Sequence, residues 1–276
     1  MRLGLTILLA LAFSGGAAAQ TLTPDQIKAI VASPDRTAAD LTNDRRRHPA
    51  DILGFLAITP GITALDISAG GGYTTELLAR SIGPTGKVYG QSRPRPTAPP
   101  PKPANPEGNS NPTVKADAPP PAGPRPSPEA LADRSSRLVA NNIPAAPIVA
   151  VVRPFEDPVP PELEGKLDLV TLMFNYHDLG FLNVDRAAMN KAVFKALKPG
   201  GFFVIGDHSG RPGTGISESG TLHRVEESFL RQEVEAAGFK LAAEGNFLRN
   251  PNDPRDKNTP DPPMPKDEFF LKFVKP

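Results

Sequence analysis

Apolar positions along this chain follow two rhythms. Short runs that are almost wholly apolar recur at residues 62–67, 87–91, 148–152, 167–174, 202–206, 240–244 and 268–274. Runs of this length predict strands, and those without polar alternation are strands buried on both faces of a sheet. Between them the apolar positions fall three and four apart, the period of a helix with one buried face. Residues 74–80, 128–141, 186–197 and 221–237 read this way. Met189, Val193 and Leu197 form one stripe, and Leu222, Val225, Phe229 and Val234 another. Thr221 reads as the cap of the last helix and Gly238 as its stop; Lys198-Pro199-Gly200-Gly201 stops the helix before it. Ahead of the first strand, residues 24–32 predict a short helix with proline near its start. Residues 35–58 predict a helical lead-in that ends at Pro60-Gly61. The pattern yields seven strands with helices between the first six. The last two strands have none between them and are expected to pair antiparallel. The class is α/β, with a mostly parallel sheet and helices on both faces.

The ends and the insertions bound this picture. Met1-Arg2, an apolar run over residues 3–13 and Ala17-Ala18-Ala19 describe a secretory leader cleaved after Ala19. The run is too short for a membrane-spanning helix. The expected location is therefore periplasmic or secreted, with no membrane contact after cleavage. Export without a single cysteine leaves stability to a packed core rather than to disulfides. Cleavage removes one arginine, leaving 30 basic against 30 acidic side chains. A balanced charge argues against a nucleic-acid partner. Residues 93–128 hold 14 prolines among Gly, Ser, Ala and Asn. That composition cannot bury apolar surface and lacks donors for regular pairing, so residues 93–127 read as a disordered or polyproline-II-like insertion. A second Pro-rich loop fills 251–265. The organisation expected is a leader (1–19), a helical lead-in (20–58) and one domain (59–276).

The chemistry starts where the first strand meets Ser68-Ala69-Gly70-Gly71-Gly72 and a helix. Such a turn offers free N–H groups and lets a ligand approach the backbone. A dinucleotide fingerprint needs a third glycine where Thr75 stands. The pattern present is D-x-x-x-G-x-G, with Asp66, Gly70 and Gly72. It resembles motif I of the class I S-adenosylmethionine-dependent methyltransferases, although Ser68 replaces a frequent glycine. Leu197-Lys198-Pro199-Gly200-Gly201 and the helix before it also resemble the family. The resemblance covers residues 45–276 apart from the insertion, and is nearest to the exported methyltransferase-like proteins of Gram-negative bacteria. It implies the seven-stranded Rossmann-like methyltransferase sheet, S-adenosylmethionine as cofactor and a small-molecule acceptor.

The resemblance also places ligand groups at the strand ends. Asp66 would stand near the methionine amine, and Ser68, Ala69, Gly70 and Gly72 would make room for the cofactor. Gln91 and Ser92 occupy the position of the family's ribose-binding acid, a departure that puts the ribose contact in doubt. Glu156 or Asp157 would meet the adenine amine, with Phe155 against the ring. Asn175-Tyr176-His177-Asp178 follows strand four, and Asp207-His208 ends strand five. Polar groups placed there are costly to bury without a task. His223 falls in the first turn of the helix expected at 221–237. Three of the four histidines thus converge on neighbouring strand ends. His177 or His208 is a candidate general base. The helix start favours a neutral, proton-accepting His223, and Asp178 and Asp207 are placed to orient the imidazoles. The same histidines with a carboxylate also read as a metal site, or as hydrogen-bonded loop anchors. The arginine run 45–47 reads either as a solvated face or as a lid that grips an acidic group. Three functions remain open: a methyltransferase, a non-catalytic small-ligand module on that fold, and a metal-assisted hydrolase or lyase.

Overall fold

The computed structural model describes residues 20–94, 125–258 and 264–276. The leader expected at 1–19 lies outside the described residues. So do residues 95–124 of the Pro-rich insertion and 259–263 of the second Pro-rich loop.

Seven strands form one sheet: β1 (Thr63–Ile67), β2 (Lys87–Ser92), β3 (Ile148–Val152), β4 (Leu167–Met173), β5 (Leu197–His208), β6 (Lys240–Gly245) and β7 (Glu268–Val274). Their order is β3-β2-β1-β4-β5-β7-β6. Strands β1 to β5 pair in parallel. β7 runs antiparallel between β5 and β6, as the missing helix requires. The strand order reverses beside β1, and an open α/β sheet presents its ligand crevice at that point, outside the carboxyl ends of the strands. Successive side chains point to opposite faces. Phe203 and Ile205 of β5 enter one core layer with Leu65, Ile67 and Leu172. Val204 enters the other, with Ala64 and Leu169.

The helices are α1 (Pro24–Val31), α2 (Ala38–Arg47), α3 (Pro49–Leu56), α4 (Tyr73–Ile82), α5 (Ser127–Ala140), α6 (Tyr176–Phe181), α7 (Arg186–Ala196) and α8 (Glu227–Glu235). None in the described residues is long and apolar enough to cross a membrane.

Four local expectations are corrected. The lead-in is two helices, because His48 adopts a left-handed φ of 46° ahead of Pro49, and a residue before proline is driven out of the helical region. Between β3 and β4 there is no α-helix. Pro158, Pro160 and Pro161 allow only the 3-10 turn Pro161–Leu163. β4 stops at Met173, and the polar residues after it enter α6 instead of capping the strand. The last helix begins at Glu227 and not at Thr221. Val225 bridges Ser209 at the end of β5, and the Glu226 carboxylate accepts from the Gly213 and Gly215 amides. Those contacts hold the preceding segment in turns. His223 therefore lies at a left-handed φ of 52°, outside any helix and not in the first turn of the last one.

Candidate functional site

The glycine turn leaves β1 through three left-handed residues, Ser68, Gly70 and Gly72. Its glycines divide the work. A Cβ on Gly71 would meet nothing within 4 Å, whereas one on Gly72 would lie 2.7 Å from Leu131 Cδ2 and from Arg134 Cδ. Gly72 therefore admits α5 rather than a ligand, and Gly70 and Gly71 are the open positions. Asp66 is buried at the strand end. It accepts hydrogen bonds from the Thr75 hydroxyl (2.6 Å) and the Thr171 hydroxyl (2.8 Å). Burial raises its pKa to about 6, against the pull of those hydroxyls and of Arg47.

Gln91 does not meet its expected role. It is fully buried. Its Oε1 accepts from the Ser68 amide (3.0 Å) and its Nε2 donates to the Arg153 carbonyl (2.6 Å). Both ends of the amide are spent tying the ends of β1 and β3 to β2. Ser92 and Arg93 remain at the rim.

Two cavities lie along these strand ends and share Ser68, Gly70 and Asn175. The first, about 370 Å³, is lined by Asp66, Ala69, Gly71 and Arg47 as well. The second, about 410 Å³, adds Ser92, Arg93, Phe155, Asp178 and His223. Ser68 donates to Asn175 Oδ1 at 2.7 Å across their junction. Glu156 and Asp157, the expected adenine acceptors, are not here. They border a separate groove against α7, and the Asp157 carboxylate pairs with Arg153.

Arg47 is the group that the charge run only hinted at. Its guanidinium lies 4.6 Å from the Phe174 ring centroid and 5.6 Å from that of Tyr73. Its Nε is buried without a hydrogen-bond partner. Burial lowers its pKa to about 10, so it stays cationic at neutral pH. The helix that carries it is clipped down. Arg36 grips Asp44 through both oxygens at 2.6 and 2.7 Å. Tyr73 donates to Asp44 (2.7 Å). Arg134 of α5 donates to Asp40 (2.8 Å) and to Glu76 (2.6 Å). Arg47 borders the cavity over the glycine turn. Arg45 and Arg46 are exposed and line another cavity, with His208 and Glu268.

The histidines do converge. The His177 ring lies 5.3 Å from that of His208 and 5.6 Å from that of His223. Their roles differ from the general-base expectation. His177 is buried, with Nδ1 2.6 Å from Asp207 Oδ1 and Nε2 3.2 Å from Asp178 Oδ1. Burial opposes its charge, but Asp207 and Asp178 outweigh that and raise its pKa to about 9. With both nitrogens facing carboxylates, His177 is no proton acceptor at neutral pH. Asp207 is completely buried and also accepts from the His177 and His208 amides. His208 lines the neighbouring cavity of about 670 Å³ rather than the cleft. Its Nδ1 is 2.9 Å from Glu268 Oε1 but out of line for a hydrogen bond, and burial holds its pKa well below the usual histidine range. Tyr176 points away from the cleft. It is fully buried and donates to Glu233 at 2.8 Å, so it is not a catalytic group. His223 and Asp178 do face the cleft, with Nδ1 3.1 Å from Oδ1.

No protein-family model and no curated protein sequence matches this chain. Solved structures do. A methyltransferase dependent on S-adenosylmethionine, from Aquifex aeolicus, superposes with a TM-score of 0.51 over 92% of this chain and 100% of its own, at 14% identity. The chain has the methyltransferase fold. A methyltransferase partner of the Trm112 activator from Haloferax volcanii aligns equally well, with a TM-score of 0.51 at 16% identity over 92% of this chain and 97% of that one. So does the [4+2]-cyclase SpnF, with a TM-score of 0.51 at 13% identity over 83% and 82%. A cyclase among methyltransferases shows that this architecture does not by itself fix the reaction.

Proposed function

We propose that the protein is an S-adenosylmethionine-dependent methyltransferase acting on a small molecule. One observation carries the reading. A single cavity over an open glycine turn presents a carboxylate, Asp66, and a guanidinium, Arg47, whose buried Nε has no hydrogen-bond partner. That pair complements a zwitterionic amino-acid group. The residues present fit the cofactor: Arg47 would take its carboxylate and Asp66 its ammonium group. Gly70 and Gly71 leave room above the turn. Ser92 and Arg93 would border the ribose in place of an acid, and Phe155 the adenine. Bound S-adenosylmethionine supplies an electrophilic methyl group on a positively charged sulfur. The chain orients the two charged ends, keeps the turn free of side chains, and sets Asp178 and His223 at the acceptor end of the cleft. The leader read from residues 1–19 sets this chemistry outside the cytoplasm.

Calorimetric titration of the mature chain, from Gln20 onward, with S-adenosylmethionine and S-adenosylhomocysteine tests the reading. Arg47→Ala should weaken binding of both at least about tenfold, the loss of one charge-assisted contact. Gly71→Val, which fills open space above the turn, should weaken both as well. A folded protein that binds neither compound would end the proposal.

A further inference from the structure

We propose that His177, Asp178 and His223 form a binding site for a divalent transition-metal ion, with Zn²⁺ the ion of first choice. The three residues stand on two segments: the start of α6, and the turn that reaches back over it. Each offers one ligand atom, and these atoms lie within 4.8 Å of one another. Asp178 Oδ1 is central, 3.2 Å from His177 Nε2 and 3.1 Å from His223 Nδ1. Atoms sharing a zinc ion at tetrahedral angles and ordinary bond lengths stand roughly 3.3 Å apart. The two separations to Asp178 Oδ1 are close to that spacing, and an ion would take the place of the proton that His177 Nε2 shares with this carboxylate.

The surroundings are those that metal ligands require. A ligating imidazole usually has its other nitrogen held by a carboxylate, which fixes ring orientation. Asp207 does this for His177 at 2.6 Å, from a completely buried position fixed by the His177 and His208 amides. The second oxygen of Asp178 accepts from Asn175 Nδ2 at 2.7 Å, so Oδ1 is the one left to turn toward the histidines. His223 is presented from a left-handed backbone conformation, φ 52°, held by the turn contacts of Val225 and Glu226. Two imidazoles and one carboxylate select zinc and its transition-series neighbours over Mg²⁺ or Ca²⁺, which prefer oxygen. Three protein ligands leave a coordination position open, as in catalytic rather than structural sites. Asp178 and His223 both border the cavity of about 410 Å³, and that position would take water or an acceptor hydroxyl and lower its pKa. The assignment to the acceptor rests on the methyltransferase reading; the ion site itself does not.

The test uses untagged mature protein, stripped with a chelator, dialysed against Zn²⁺ and assayed for metal per chain. Titration with Co²⁺ in the visible range supplies the coordination signature. One ion per chain is expected, with d–d bands in the Co²⁺ form. His223→Ala and Asp178→Asn should each lower affinity about 100-fold or more, and Asp207→Asn about 10- to 100-fold. His48→Ala, on the exposed histidine away from the cluster, should leave it unchanged. Substoichiometric metal in folded protein, or affinity that survives both ligand substitutions, overturns the site. Calorimetry with S-adenosylmethionine on metal-free and metal-loaded protein keeps the two proposals apart. Cofactor binding without metal binding removes this inference alone, and metal binding without cofactor binding removes the methyltransferase reading alone.

Discussion

Asp66 meets two opposing demands. Burial makes its charge costly, and two hydroxyls and a nearby guanidinium offset only part of that cost, so its pKa stands at about 6. The sign for a ligand ammonium group follows. The carboxylate attracts it above that value and stops attracting it as pH falls through it. S-Adenosylmethionine affinity should therefore drop roughly tenfold per unit below pH 6, the slope of one proton in competition. Asp66→Asn should bind weakly at every pH and lose the step. A step that persists in Asp66→Asn would assign the titration elsewhere. At this scale the sequence was only partly legible. Asp66, Ser68 and Gly70 line one cavity, because a strand followed by glycines dictates its own geometry, and Asn175 joins them from beyond the end of β4. Gln91, Tyr176, Glu156 and Asp157 do not reach the cleft. Their side-chain directions depend on partners far along the chain, Arg153 for Gln91 and Glu233 for Tyr176, and local pattern contains no trace of these. Arg47 was visible only as one of a run of arginines. What marks it is a buried Nε without a partner, which no sequence displays.

Secondary elements were read well where one face is buried and poorly where polar contacts decide. Strand positions and the order of elements followed from apolar runs. The false helix start at Thr221 arose because Leu222 and Val225 share a helical spacing with Phe229. In the folded chain they belong to a turn held by Ser209, Gly213 and Gly215. That turn is locked from beneath by Arg224, whose side chain is completely buried. It pairs with Asp253 at 2.9 Å and donates to the carbonyls of Ser209 (3.0 Å) and Lys257 (3.1 Å). Asp253 in turn accepts from the Asp267 amide at 2.7 Å, tying the second Pro-rich loop to the entry of β7. Asp253→Ala strands a buried cation and should cost about 3–5 kcal/mol. Urea unfolding should show this as a lower midpoint at unchanged slope. A loss below about 1 kcal/mol would mean that water reaches Arg224.

For the molecule as a whole, the topology makes the last strand indispensable. β7 fills the slot between β5 and β6 and brings Phe269, Phe270, Leu271 and Phe273 into both core layers. A chain ending at Asp267 would leave two strand edges unpaired and expose aromatic surface. Such a truncation should yield aggregated or molten protein, seen as lost near-ultraviolet dichroism and rapid amide exchange; a soluble, cooperatively unfolding product would refute this. The architecture was legible at this scale because seven apolar runs and their connections leave few topologies open. The bracket formed by Gln91 then has a consequence for discrimination. Among the described residues, those that follow Gln91 into the cleft, Ser92 and Arg93, bring a hydroxyl and a guanidinium but no carboxylate to count ribose hydroxyls. Under the cofactor reading, analogues methylated or deoxygenated on the sugar should compete nearly as well as the parent compound, while those altered at the amino-acid end should not. Selectivity would be concentrated at one end of an asymmetric ligand, leaving the other end tolerant of change.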